Sequence, residues 1–165
     1  MKKATIFKTL VDILYILHFI GLIGIIFIIL FGTINVNQVN INDEDWNLFY
    51  WLVFIVGLVT YVIFLRGLYY LRKTARFLLS NKYFSDSITQ NLRKSGYHFL
   101  FTGIVLFTLF VAVWISKLVV GGKFELIYIN LLIPLFLTII GIFFIIQSNV
   151  LDLAKGIKEE NELTV

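Results

Sequence analysis

The chain has 165 residues, of which 59% are hydrophobic, 17% aromatic and only 15% charged, and its mean hydropathy is +0.92. Soluble domains are about half apolar and about a quarter charged, so this surplus cannot be hidden in a water-soluble core, and most of the protein is solvated by lipid. With no cysteine there is no disulfide framework, thiolate metal site or thiol nucleophile, and the formal charge of +4 reports topology rather than nucleic-acid binding.

Four stretches reach the ~20 apolar residues that a helix needs to cross a hydrocarbon core of ~30 Å: residues 10–31, 48–66, 97–116 and 126–147. None alternates like a strand, and in lipid a helix satisfies its own backbone groups. The expected fold is all-α, a polytopic membrane protein in which four transmembrane helices form a bundle of two helical hairpins. Helices two and three extend into the cytoplasm as a hairpin over residues 67–95, and residues 152–165 form a tail.

Met1-Lys2-Lys3 before the first apolar run imitates a signal peptide. The run is too long, and it ends Leu30-Phe31-Gly32-Thr33-Ile34 without an A-x-A cleavage pattern, so a retained anchor is expected. Asp12 and His18 interrupt this span. They lie ~120° apart around a helix, which argues against a direct pair and leaves Asp12 a structural role about one turn from the headgroups. The outer loop that follows closes on Asp43-Glu44-Asp45, which suits the positive end of span two as a solvated cap rather than a metal site. Glu125 after Gly121-Gly122 suits span four in the same way.

Beyond span two, Leu68, Leu71, Ala75 and Leu78 form an apolar stripe beside Arg66, Lys73 and Arg76. Asn81-Lys82-Tyr83 breaks the helix. Ser85, Asp86 and Ser87 then offer N-caps, and Ser87 with Gln90 has capping-box spacing. In span four, Pro134 removes a backbone donor and predicts a kink, leaving Asn130 as a polar interhelical contact. Gly21, Gly24, Gly96 and Gly103 predict close helix packing.

Basic residues set the orientation. Lys2, Lys3 and Lys8 flank the N-terminus, while Arg66, Arg72, Lys73, Arg76, Lys82, Arg93 and Lys94 lie between spans two and three. With Lys155 and Lys158 these are twelve, against Lys117 and Lys123 in the outer loops. The positive-inside rule puts both termini and the central hairpin in the cytoplasm. Trp46, Tyr50, Trp51, Trp114 and Tyr128 mark the outer interface; Tyr69, Tyr70 and Tyr97 mark the inner one.

Ionisable groups in a span invite a functional reading. His18-Phe19 and His98-Phe99 lie 80 residues apart at comparable places in spans one and three, a faint sign of duplication. Two histidines on different helices are haem-ligand candidates, but His18 sits near mid-membrane and His98 near the inner surface. The expectation is therefore no cofactor, with His18 in an interhelical hydrogen bond. There is no Walker motif, HExxH, GxGxxG or nucleophile elbow, and no enzyme is expected.

Two passages are more specific. The chain reads Asn81-Lys82-Tyr83-Phe84-Ser85, then Asn91-Leu92-Arg93-Lys94-Ser95-Gly96, and ends Lys158-Glu159-Glu160-Asn161-Glu162-Leu163-Thr164-Val165. This resembles the bacterial membrane-protein family of domain of unknown function 2975, four-span chains with a Phe-Ser turn between spans two and three and a Glu-Asn-acid-Leu-Thr ending. The family brings no catalytic residues. Its genes often neighbour a small helix-turn-helix regulator, which implies a regulatory partnership.

The resulting expectation is a non-enzymatic regulatory or interaction protein of the bacterial inner membrane. Its working surface is the basic hairpin, which faces anionic headgroups and a cytoplasmic regulator, with Glu159, Glu160 and Glu162 of the tail docking on it. The alternatives are a small transporter-like or stress-related protein acting through Asn130 or His18, and a haem or quinone redox subunit.

Overall fold

The computed structural model describes residues 2–31, 48–79, 85–119 and 131–163. Lys82, Phe84 of the Phe-Ser turn, Asn130, the acidic caps and the outer-loop lysines lie outside what is described, or have no described side chain. The described residues form four helices: α1 (Lys2–Phe31), α2 (Leu48–Leu79), α3 (Asp86–Val119) and α4 (Leu132–Leu163). Each is long and apolar enough to cross a membrane, so the all-α, four-span reading holds. At ~1.5 Å per residue, the 32 residues of α2 measure ~48 Å, well beyond a hydrocarbon core of ~30 Å. α3 and α4, with 34 and 32 residues, do the same. Spans and extensions are thus single continuous helices, and the tail is helical to Leu163.

Helices pack in chain order, α1 on α2, α2 on α3 and α3 on α4. Among the described residues α1 makes no close backbone approach to α3 or α4, so the arrangement is an open row rather than a closed bundle. The N-terminus of α1, the C-termini of α2 and α4 and the N-terminus of α3 gather at one charged end.

The core lies toward that end. Leu68, Leu71 and Ala75, three of the four stripe residues, are buried with Leu65, Ile88, Leu92 and Phe99. Apolar side chains must be covered where water would reach them, whereas along the spans lipid solvates them. α1 accordingly buries only Val11 among its described side chains.

Glycine sets the closest crossings. A Cβ on Gly96 would stand 2.8 Å from the Gly141 carbonyl oxygen, and one on Gly103 2.8 Å from that of Pro134. Gly24, also expected at a close crossing, has nothing within 4 Å. Two local expectations are corrected. Pro134 stands in the first turn of α4, where a helix has no bond for a missing N–H to lose, so it does not kink a continuing span. Its carbonyl instead accepts from Thr138 Oγ1 at 2.8 Å. The backbone carbonyl of Ser85 accepts from Ile88 N at 3.0 Å and Thr89 N at 3.3 Å, so Ser85 takes the N-cap position by its backbone while its hydroxyl finds no partner among the described residues, and Ser87 lies inside the helix.

Candidate functional site

The charged end combines partly buried and exposed ion pairs between helices with an exposed cationic line. Asp12 of α1 accepts from Arg72 Nε of α2 at 2.5 Å and lies 3.2 Å from Lys8 Nζ. The Arg72 guanidinium also stands over the Tyr15 ring at 5.1 Å. Asp12 is thereby neutralised where lipid would otherwise meet a carboxylate. Arg72 is 60 residues away in sequence, so no local spacing could have announced that pair, whereas Lys8 stands at the four-residue spacing of one helix face.

A second cluster joins α3 to α4. Arg93 donates to Ser148 Oγ at 3.3 Å, Asn149 Oδ1 at 3.2 Å and Asp152 Oδ2 at 2.7 Å. Lys155 Nζ donates to Asp86 Oδ1 at 2.6 Å and lies 3.3 Å from Glu159. The hydrogen bond to Asp86, followed by that to Glu159, raises the Lys155 pKa above the usual lysine value. The tail was expected to dock through Glu159, Glu160 and Glu162. Among the described contacts, Asp152 and Lys155 of the tail reach α3, while Glu159 and Glu162 pair along α4 with Lys155 and Lys158, the latter at 3.5 Å. Four-residue spacing puts these glutamates within reach of their own helix's lysines before any other helix.

The expected basic hairpin therefore divides. Arg72 and Arg93 are held in pairs between helices, and Lys94 stands over the Tyr70 ring at 5.6 Å. Arg66, Lys73 and Arg76 remain exposed on α2. Together with exposed Tyr69, they occupy successive steps of three and four residues, one face of the helix.

The two histidines do not converge. His18 Nδ1 donates to the Leu14 carbonyl at 2.8 Å and His98 Nδ1 to that of Lys94 at 2.6 Å. The His18 ring meets Phe64 edge-on at 5.2 Å and lines a cavity of about 210 Å³ with Thr60, Tyr61 and Thr102. His98 packs on Tyr70 at 5.4 Å and lines a different cavity with Ile63 and Phe101. No pair of axial ligands is assembled. The interhelical hydrogen bond expected of His18 runs through its backbone, whose carbonyl accepts from Tyr61 Oη at 3.0 Å. Thr60 at the cavity wall returns its hydroxyl to the Val56 carbonyl at 2.7 Å, whereas the buried Thr102 hydroxyl has no partner among the described residues.

No curated protein and no solved structure matches the chain. Residues 36–165 match the family model described as protein of unknown function, DUF2975. The match takes in α2, α3 and α4 and leaves α1 outside. Most of the chain is covered, including both passages that carried the resemblance, and the protein belongs to the DUF2975 family of proteins of unknown function.

Proposed function

We propose that this is a non-enzymatic interaction protein of the bacterial inner membrane, with both termini and the charged end in the cytoplasm, where Arg66, Lys73 and Arg76 engage an acidic segment of a cytoplasmic regulator. The orientation rests on the twelve basic residues at the charged end against two in the outer loops. The choice of a protein partner rests on length. A headgroup layer is about 5–7 Å deep on each side of the hydrocarbon. Taking Arg66 as the membrane boundary, Lys73 stands ~10 Å farther along the helix and Arg76 ~15 Å farther. Lipid phosphates reach Arg66; Lys73 stands ~3–5 Å above that layer and Arg76 ~8–10 Å above it, the latter at or beyond a physiological Debye length of ~8 Å.

The single observation that carries the reading is the continuity of this exposed cationic line on a helix whose opposite face is buried at Leu68, Leu71 and Ala75. A rigid, well-packed helix presenting unspent charge suits recognition. The small helix-turn-helix regulators that neighbour genes of this family are the partners to test first. The full chain in neutral-lipid nanodiscs should retain the regulator encoded beside it, and Lys73→Glu with Arg76→Glu should weaken retention at least tenfold. Failure of the wild type to retain it, or equal retention by the variant, would remove the proposal.

A further inference from the structure

The outward faces of α2, α3 and α4 behave differently at the charged end. Each follows steps of three and four residues, the spacing of one helix face. On α2 the line passes from Ile55, Val59 and Val62 to Arg66, Tyr69, Lys73 and Arg76. On α3 it passes from Ile104 and Phe101 to Tyr97, Lys94, Gln90 and Ser87. Both become polar where lipid ends. α4 does not. Its line through Ile139, Phe143 and Ile146 continues at Val150, Leu153 and Ile157, the last two 70% and 61% exposed. Yet from Asp152 onward this helix carries Lys155, Lys158, Glu159, Glu160 and Glu162, a density of charge that hydrocarbon does not admit. Leu153 and Ile157 thus stand in an aqueous zone without cover from the described residues.

The spacing also says what fits there. Written as heptads, Phe143, Val150 and Ile157 take a positions and Ile139, Ile146 and Leu153 take d positions. The flanking e and g positions over this stretch hold Gln147 and Ala154, and Asn149 and Gly156, all uncharged, and the apolar seam ends at Glu160, the next d position. Ser148, Asp152 and Lys155 lie on the other side, against α3. A Cβ on Gly156 would meet nothing within 4 Å, so no contact with the described residues calls for a glycine that weakens the helix interior.

We infer that this face is a self-association seam, along which α4 pairs in parallel with α4 of a second copy around a two-fold axis normal to the membrane. All copies in one membrane share one orientation, so identical helices meet parallel and in register, and the same patch serves both partners. From Ile139 to Ile157 the uncharged flanks impose no like-charge repulsion on such a pair and give a charged partner nothing to read, and Glu160 marks where the seam stops. Within lipid, helix pairing lacks a hydrophobic driving force. Leu153 and Ile157, beyond the lipid, supply one by meeting their own counterparts.

The absence of cysteine makes the test direct. Leu153→Cys and Ile157→Cys, oxidised in native membrane vesicles, should give disulfide dimers in at least tenfold higher yield than Glu159→Cys and Glu162→Cys, which lie off the seam. In detergent, light scattering should find the wild type dimeric, and Leu153→Glu with Ile157→Glu should weaken the dimer at least a hundredfold while leaving helix content unchanged. Equal yields at all four positions, a wild type that is monomeric throughout, or an unchanged dimer in the double variant would overturn the inference. So would protection of the cysteines at 153 and 157 from an aqueous maleimide without cross-linking, since lipid or another protein would then cover the face.

Discussion

Asp12 shows how much a single residue's meaning depends on its neighbours in space. In sequence it is a lone acid in an apolar run; in the fold it is shared by Arg72 and Lys8, with Tyr15 beneath the guanidinium. Asp12→Asn leaves two cations facing a neutral amide, and the loss of charged hydrogen bonds should lower stability by about 1–3 kcal/mol. Pairing Asp12→Leu with Arg72→Met removes both charges together and should recover most of the loss, because an apolar pair of similar volume has no desolvation to offset. Thermal melting of the purified protein in detergent compares the two. Residues whose role follows from their own chemistry were legible beforehand. Leu68, Leu71 and Ala75 announced a buried face by period alone, and Arg66, Lys73 and Arg76 announced an exposed one. The interhelical partners of Asp12, Arg93 and Lys155 are 60, 59 and 69 residues away, a separation that carries no local signal.

Among the elements, α3 and α4 are bound most tightly, at crossings that only small residues allow. A Cβ at Gly141 would stand 2.5 Å from Leu100 N, and one at Gly103 would stand 2.7 Å from Thr138 N, backbone atoms that cannot rotate aside. Gly103→Ala and Gly141→Ala should each cost about 1–3 kcal/mol through forced separation of the helices. Gly57→Ala, with nothing within 4 Å of its Cβ, should be neutral or stabilising by up to about 1 kcal/mol, since it removes a flexible residue from a helix interior. Melting of the three variants side by side tests the contrast. The Asp86–Lys155 pair adds a pH dependence to this couple. The Lys155 pKa is raised in the folded state by Asp86 and then Glu159, so its stabilisation is fully present below the ordinary lysine value and is lost as pH climbs through the raised one. A spin label at Glu162→Cys should become more mobile only in that alkaline window. The elements themselves were legible in hydropathy and length. Their ends were not, as Pro134 illustrates, because the same residue kinks a helix from within and starts one from its first turn.

For the whole molecule, charge asymmetry gives the sharpest test. Because the chain has no cysteine, single substitutions can be labelled without background. Asn37→Cys should react with an impermeant maleimide on intact cells, whereas Lys82→Cys and Asn161→Cys should react only after lysis. Labelling of Lys82→Cys from outside would reverse the orientation on which the proposed partner depends. The open row of helices was not legible in the sequence. Hydropathy counts spans but says nothing of whether the first meets the last, and here α1 rests on α2 alone among the described residues.

That open row has a mechanical side. Ion pairs and buried leucines clasp the helices at the charged end, while His18, Gly57 and Thr60 on α1 and α2 stand across a cavity from Leu106, Ile133 and Leu137 on α3 and α4. The molecule is thus a pair of tongs, pivoted in the charged layer with its jaws in the lipid. Strain in the bilayer should act on the jaws before the pivot. In thinner bilayers a spin-label distance between Val59→Cys and Phe136→Cys should widen, while one between Arg76→Cys and Gln90→Cys should hold.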